Sequence, residues 1–252
     1  MDFYSELKEI YDEVDDKIYG IVKEKNNLIK NRKNKLVYPL FIHPTDEYIN
    51  SDIKIMIFGK ETNGWYGIYG EDVNKDVESI MGEYNEFFGT KDCYKRGGQF
   101  WKMFKYLINE INKNNKEKKI GYLWNNLVKA GKDSKGFPRN WYEEIIKPYF
   151  NKLILKEIDI LKPDYIVFFT GPNSSNGPYD NVLNNIFRKP DGSKPNRKEI
   201  NGFTERELCE IEIKNVKKSF RTYHPTYLLR NNKQKPYKDF IKKIVDEIST
   251  SI

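Results

Sequence analysis

The sequence predicts an α/β fold in which helices cover a mostly parallel sheet. Three short apolar runs have the character of buried strands, and each follows a polar or helical stretch. Apolar strands that alternate with helical segments are typical of βαβ units, because parallel strands are buried on both faces. The three runs are IKIMIFG (53–59), IGYLWNNLV (120–128) and YIVFFTG (165–171).

Four segments predict helices, for the most part from apolar side chains spaced three or four residues apart. They span residues 3–30, 99–111, 140–161 and 236–248. Pro148 lies inside the third segment and is expected to kink or divide it, since proline lacks the backbone N–H that a helix needs. The first segment, with the polar loop KNRKNK (30–35) after it, predicts an N-terminal helical extension over residues 1–35.

Two further runs predict a β-hairpin late in the sequence. LCEIEI (208–213) and VKKSFRTY (216–223) are separated by Lys214-Asn215, where the chain is expected to turn. The sequence holds 252 residues, a length that fits one α/β domain, and no obvious linker or repeat divides it. We therefore predict a single domain over residues 1–252.

Composition and charge narrow the classes of function. The formal net charge of +7 favours a polyanionic partner, although a lysine-rich solvated surface gives the same value. Cys93 and Cys209 are too few for a disulfide framework, an all-cysteine zinc site or a four-cysteine iron–sulfur cluster, and we interpret them as reduced intracellular thiols. The first residues lack the order of a signal peptide, and no run approaches the roughly 18 apolar residues of a membrane span. We expect a cytoplasmic monomer that does not contact a membrane.

Four predicted loops leave the carboxyl edge of the sheet, where parallel α/β folds bind their ligands. The chain has two histidines, and both stand in the triplet His-Pro-Thr. His224 follows a predicted strand and therefore lies on this rim. His43 precedes the first strand and is expected near the opposite edge, as an ordinary turn or surface residue. The loops begin at Gly59, Asn125-Asn126, Gly171 and His224.

Three familiar kinds of site do not fit these loops. GKETNG (59–64) has the G-x-x-x-x-G opening of a phosphate-binding loop, but Trp65 and Tyr66 follow where that motif needs Lys and then Ser or Thr. The widely separated histidines and cysteines show none of the close pairings of a zinc site. Ser174-Ser175 lack the G-x-S-x-G context of a serine nucleophile.

The polar side chains that remain are a carboxylate, three amides and an imidazole, on a rim rich in Trp and Tyr. This set suits hydrolysis of an N-glycosidic bond, which passes through an oxocarbenium-like sugar. A carboxylate can position water and stabilise the cation, and an imidazole can donate a hydrogen bond to the oxygen of the departing base. An asparagine amide can read a base edge, and an aromatic ring can stack on the base. The residues are Glu61, Asn63, Asn125, Asn126 and His224.

The order of these motifs resembles that of the uracil-DNA glycosylase superfamily. MIFGKETNGW (56–65) is similar to the first motif of that superfamily, with Gly59 as its anchoring glycine. LWNNLVKAG (123–131) resembles the second and aligns Asn126 with the base-reading asparagine. YIVFFTG after Pro163 is similar to the third-strand segment, and YHPTYLLR (223–230) resembles the His-Pro-Ser loop that leads into a DNA-contacting segment.

The resemblance implies a three-layer α/β/α sandwich around a four-stranded, mostly parallel sheet. It also implies a monofunctional DNA glycosylase, independent of metal and cofactor, that flips a uracil-like or modified base out of single- or double-stranded DNA and leaves an abasic site. Glu61 would activate water, His224 would stabilise the departing base, and Asn126 would read it. Asn125, Asn63 and Phe88 are the further base-binding candidates. The stacking ring is expected in the long loop from Trp65 to Gly98, where Phe88 is preferred over Tyr66, Tyr69, Tyr84 and Phe87.

The chain departs from the family motif at three positions of the first loop. Thr62 stands where the family has Pro, Asn63 where it has Tyr or Gly, and Lys60 where one form of the motif carries its acid. These departures leave two other functions open: a nucleic-acid-binding member that does not cleave, and an unrelated doubly wound enzyme that acts on nucleotides or small molecules. The residues expected to contact DNA are Gly59, Lys60, Trp65, Tyr66, Ser174, Thr226, Tyr227 and Arg230.

Overall fold

Strands of the computed structural model, which describes residues 2–71, 76–175 and 177–252, form a mixed six-stranded sheet in an α/β fold. The sheet order is β2-β1-β3-β6-β5-β4. The strands are β1 (Ile53–Glu61), β2 (Ile120–Val128), β3 (Tyr165–Phe168), β4 (Arg197–Glu199), β5 (Leu208–Ile211) and β6 (Lys218–Thr222).

The predicted four-stranded sheet needs correction, because two antiparallel strands extend it. Strands β2, β1, β3 and β6 are parallel, whereas β5 pairs antiparallel with β6 and β4 with β5. The predicted hairpin is confirmed, and Asn215 at its turn has a left-handed φ of 65°. Strand β4 has the sequence RKE, which carries no apolar residue and so gave no strand signal.

The helices agree with the predicted segments and add several short ones. All four predicted helices are confirmed with shifted ends. The other helices precede β1 or lie in the loops that follow β1, β2, β3 and β6. The helices are α1 (Phe3–Leu28), α2 (Asp46–Ile49), α3 (Val77–Tyr84), α4 (Gln99–Asn114), α5 (Arg139–Trp141), α6 (Asn151–Leu161), α7 (Tyr179–Ile186), α8 (Pro225–Arg230) and α9 (Tyr237–Ser249).

Two segments of the chain form wider, π-helical turns. Tyr142–Phe150 joins α5 to α6 and contains Pro148, so the chain passes the proline by widening its helix instead of stopping. Asn85–Gly89 follows α3 in the long loop between β1 and α4. Residues 72–75 of that loop, and Asn176 of the predicted loop after Gly171, lie outside the described residues.

Helix α1 packs into the same hydrophobic core as the strands. Leu7, Tyr11 and Ile18 on this helix are fully buried, and the helix contacts α6. The Tyr11 hydroxyl donates a hydrogen bond to Glu157 Oε1 on α6 at 2.7 Å. Within the described ranges, no helix combines the length and apolar character that a membrane crossing would need.

A buried ion pair fixes the end of β2 against α6. Lys129 and Glu157 have fully buried side chains, and Lys129 Nζ lies 2.6 Å from Glu157 Oε1. Lys129 Nζ also donates to Asn125 Oδ1 at 2.9 Å, and Asn125 Nδ2 donates to Glu157 Oε2 at 2.9 Å. The network of Tyr11, Asn125, Lys129 and Glu157 therefore gives each buried charge more than one polar partner, as buried charges require.

We expect Glu157→Ala to lower the free energy of unfolding by about 3–5 kcal/mol, because it leaves the Lys129 ammonium buried without its counter-charge. Urea unfolding followed by circular dichroism measures this loss. Lys156→Ala is the matched control, since its ion pair with Glu13 lies on the exposed side of the same helix and should contribute far less. Equal losses in the two variants would contradict the role assigned to the buried pair.

Candidate active site

A cavity of about 890 Å³ opens at the carboxyl edge of the parallel strands. Its walls come from the end of β1 and the loop after it, from β2, from the start of α4 and from the turn that begins α8. The predicted residues that line the cavity are Gly59, Lys60, Glu61, Asn63, Trp65, Tyr66, Asn126, His224 and Thr226. The parallel register brings them together, since Gly59 pairs with Asn126 across β1 and β2.

Gly59 allows the two strands to present their side chains side by side. A Cβ atom at this position would lie 2.5 Å from Asn126 Oδ1 and 3.2 Å from Cε2 of Phe100. Any larger residue would therefore push against the Asn126 amide. The glycine predicted to anchor the first motif has this steric reason in the structure.

The Asn126 amide is held in one orientation with its donor group unused. Its Oδ1 accepts a hydrogen bond from the indole Nε1–H of Trp124 at 3.2 Å, which assigns the oxygen and the nitrogen of the amide. Its Nδ2 is buried and has no hydrogen-bond partner among the residues that the structure describes. Buried polar groups normally have partners. Asn126 therefore offers a hydrogen-bond donor to an acceptor in the cavity.

The His224 side chain is a neutral hydrogen-bond donor at the N-terminus of α8. It caps this helix, and its Nδ1 accepts a hydrogen bond from the backbone N–H of Thr226 at 3.3 Å. The bond uses the Nδ1 lone pair, so the neutral ring carries its proton on Nε2. Burial, and secondly the charge of Lys60, lower the pKa of His224 to about 3. The imidazole is therefore uncharged at neutral pH.

Glu61 is a carboxylate with one oxygen fixed. Its Oε2 accepts a hydrogen bond from the Tyr179 hydroxyl at 2.5 Å, and the backbone N–H of Gly136 donates to the same carboxylate. Burial raises the pKa of Glu61, while the bond from Tyr179 and the charge of Lys60 oppose this rise. A carboxylate with a raised pKa is a better proton acceptor than an exposed one.

Lys60 lies close to the same tyrosine. Its Nζ is 4.6 Å from the centroid of the Tyr179 ring. Burial lowers the pKa of Lys60, and the charge of Glu61 acts in the opposite direction. The charge of Lys60 thus acts on both Glu61 and His224. Lys60 and Glu61 also share a contact with Tyr179, a residue that the sequence analysis did not single out.

Packed aromatic rings form one wall of the cavity. Trp65 lies 5.4 Å from both Phe87 and Trp124, and Trp101 lies 4.9 Å from Trp124, all measured between ring centroids. The contacts are edge-to-face, the arrangement that aromatic quadrupoles favour. The Trp65 indole N–H is buried and has no partner in the described part of the chain, so it is a second free donor beside the cavity.

The structure gives Phe88, the preferred stacking ring, and its neighbour Phe87 different positions. Phe88 is 6% exposed, does not line the cavity and packs against Tyr84 and Phe104. Phe87 lines the cavity and contacts Trp65 and Trp101. The π-helical turn Asn85–Gly89 determines that Phe87 faces the cavity and Phe88 faces the core. The sequence does not distinguish the two, because they are adjacent and identical.

Asn125, a second predicted base contact, lies outside the cavity lining, so its contact with a base stays a prediction. Its side chain is fully buried and bonded to Lys129 and Glu157, and it does not line the cavity. Successive residues of a strand point to opposite faces, so only one of the two asparagines can face the cavity. Asn125 instead accepts from the backbone N–H of Asn126 at 2.8 Å and helps to position it.

Some predicted residues lie outside the cavity lining, and some lining residues were not predicted. Ser174, Tyr227 and Arg230 are outside the lining, so their contacts with DNA stay predictions. His43 packs on Tyr4, with ring centroids 5.0 Å apart, and does not line the cavity. The lining residues that the sequence analysis missed are Thr62, Gly64, Glu83, Phe87, Arg96, Gly98, Gln99, Phe100, Trp101, Trp124, Lys135, Gly136 and Tyr179.

The departure from the family motif at Thr62 has a structural use. The Thr62 side chain is buried, and its Oγ1 accepts a hydrogen bond from the backbone N–H of Gly131 at 2.9 Å. This bond ties the loop after β1 to the chain after β2. Over the described ranges, no group of three or more His, Cys, Asp or Glu side chains is placed to hold a metal ion.

We expect the ring of His224 to stay neutral between pH 8 and pH 4, and its proton resonances to stay constant over that range in an NMR titration. The unfolded chain takes up a proton near the ordinary pKa of 6.5, whereas the folded chain does so near 3. The native state therefore loses stability as the pH falls from about 6.5 towards 3. His224→Gln should remove this part of the pH dependence of stability. A titration midpoint near 6.5 for His224 in the native protein would contradict the lowered pKa.

We expect Gly59→Ala to displace the Asn126 amide and to cost about 1–3 kcal/mol of unfolding free energy, the usual effect of overpacking. The shift of the Trp124 indole N–H resonance reports the broken bond. Gly82→Ala is the control, because a Cβ there meets no atom within 4 Å and the position lies in helix α3. An unchanged indole resonance in Gly59→Ala would show that the contact is not tight.

No family model matches this chain, and no curated protein matches it in sequence. The function is therefore inferred from the geometry of the cavity and from the motif resemblance.

Proposed function

We propose that the protein is a DNA glycosylase that hydrolyses the N-glycosidic bond of a flipped uracil-like or modified base and leaves an abasic site. The observation that carries the proposal is the meeting of Glu61, Asn126 and the neutral His224 in one aromatic-walled cavity. These are the groups that the reaction needs. We also propose that the helices form a layer on each face of the sheet, which makes the fold a three-layer sandwich.

Departure of the base is the step that His224 would assist. When the bond between C1′ and the base nitrogen breaks, its electrons leave with the base, and negative charge develops on a carbonyl oxygen. A fixed donor at that oxygen lowers the barrier. Nδ1 of His224 accepts a hydrogen bond from the backbone N–H of Thr226, so the neutral ring carries its proton on Nε2. The Nε2–H group can donate a hydrogen bond to the oxygen of the departing base.

The sugar carries the opposite charge in the same step. Glu61 would stabilise the oxocarbenium-like sugar electrostatically, orient a water molecule and accept its proton. The bond from Tyr179 engages Oε2 and fixes the orientation of the carboxylate towards that water. The raised pKa of Glu61, caused mainly by burial, suits proton acceptance.

Recognition would combine one polar contact with stacking. The free Nδ2 donor of Asn126 fits a carbonyl acceptor on the base edge. The rings of Trp65 and Phe87 line the cavity beside it and can contact the face of the base. The net charge of +7 favours binding to the DNA backbone, for which Ser174, Thr226, Tyr227 and Arg230 are proposed contacts.

One observation favours a second candidate, a member that binds nucleic acid without cleaving it. Lys60 places a cationic side chain beside Glu61, where the glycosylase reaction develops positive charge on the sugar. A cation there opposes the transition state unless the amine is neutral. DNA binding without base release would favour this candidate, and indifference to DNA would favour an unrelated enzyme acting on nucleotides.

The test is release of a base from labelled oligonucleotides, single- and double-stranded, that carry uracil, deaminated purines, oxidised pyrimidines or hydroxymethylated cytosines. We expect release of one of these bases, revealed as strand breaks after alkali. Glu61→Gln should slow it about 10²–10⁴-fold, the usual contribution of a general base. His224→Ala should slow it about 10²–10³-fold, as loss of an oxyanion donor does.

The chain supplies matched controls for both variants. His43→Ala removes the other His-Pro-Thr histidine, which does not line the cavity, and Glu86→Gln neutralises an exposed carboxylate of the neighbouring turn. Both should release the base at close to the wild-type rate. Equal losses in His43→Ala and His224→Ala, with both proteins folded, would count against the proposed site.

A further inference from the structure

Lys60 is a partly buried lysine in the cavity that lacks a close counter-charge. Among residues 2–71, 76–175 and 177–252, its side chain takes part in no hydrogen bond and no ion pair within 4 Å. Its Nζ rests over the Tyr179 ring at 4.6 Å. The buried Lys129, by contrast, lies 2.6 Å from a carboxylate oxygen of Glu157. These two lysines thus have opposite surroundings, and of the two it is Lys60 that has an amine free to react.

The surroundings of Lys60 act on the charge of its amine in two directions, and burial is the larger effect. Burial lowers the pKa of Lys60, whereas the charge of Glu61 and the face of the Tyr179 ring favour the ammonium. The adjacent carboxylate of Glu61 directs its Oε2 to the Tyr179 hydroxyl. A desolvated lysine amine without a close counter-ion is the usual form of a nucleophile that attacks a carbonyl carbon.

We propose that Lys60 is the nucleophile of a second activity, in which its Nζ forms a Schiff base with C1′ of an abasic deoxyribose and the DNA strand is then cut by β-elimination. This activity rests on the proposed function, because base release creates that sugar in this same cavity. It departs from the monofunctional reaction that the motif resemblance implies.

The step balances with the groups at hand. The Lys60 amine adds to the C1′ aldehyde of the ring-opened sugar, a proton is taken up from solvent and water leaves, which gives an iminium. The Glu61 carboxylate, once solvent has removed its earlier proton, takes a proton from C2′. The electrons of that C–H bond form the C2′–C3′ double bond, and the C3′–O bond breaks with its electrons on the departing phosphate. Water then hydrolyses the imine and restores the amine.

The experiment incubates the full chain with an oligonucleotide that already holds one abasic site, in the presence of sodium borohydride. Borohydride delivers hydride to an iminium and turns it into a stable amine link. We expect a protein–DNA adduct on a denaturing gel, with peptide mapping to Lys60. Lys60→Arg, which keeps a long basic side chain without a nucleophilic amine, and Lys60→Gln should each reduce the adduct at least tenfold.

Two controls define the adduct. Lys152→Arg alters an exposed lysine on α6 and should trap as well as the wild type. An oligonucleotide whose abasic aldehyde has been reduced to an alcohol beforehand cannot form an imine and should give no adduct. Circular dichroism of each variant shows that it is folded.

Each outcome of the trapping experiment supports or overturns the second activity. No adduct with wild type, or an adduct undiminished in folded Lys60→Arg, overturns it. Base release without trapping leaves the proposed glycosylase standing and removes only the second activity. Trapping through Lys60 without release of any base supports the reactive amine and refutes the proposed glycosylase. The two failures are therefore distinguishable.

Discussion

The candidate site depends on the ion pair between Lys129 and Glu157, which has no access to water. Each charge would be very costly if its partner moved away, so the pair holds the end of β2 against α6 in one arrangement. Asn125 completes the pair and also binds the backbone N–H of Asn126. The cavity donor is therefore positioned by a polar network on the opposite face of its own strand.

The two neighbouring asparagines of β2 have different roles, one in the core and one in the cavity. The side chain of Asn125 is used up by the buried charges, whereas Asn126 keeps a donor without a partner among the described residues. The alternation of side chains along a strand makes this division unavoidable. A glycine opposite, Gly59, then lets the free amide sit close to the end of β1. The position of the Asn126 donor in the cavity therefore follows from strand geometry.

The sequence could predict those parts of the molecule that follow a repeating pattern. Apolar runs predicted the three buried strands, and their common direction predicted that Gly59, Asn126 and His224 would share an edge. Strand β4 could not be predicted, because its residues RKE pair through the backbone without an apolar face. The choice of Phe87 over Phe88 depends on a π-helical turn. Tyr179 reaches Glu61 from a helix 118 residues further along the chain, so no local motif announces it.

The aromatic wall has a thermodynamic consequence. Trp65, Phe87, Trp101 and Trp124 touch one another edge-to-face and so hold their rings in fixed rotamers. Freezing a large side chain normally costs conformational entropy when a ligand binds. In this cavity the rings lose that freedom when the chain folds, so the cost falls on folding. A planar guest that enters meets surfaces already in place, and more of its contact energy remains as affinity.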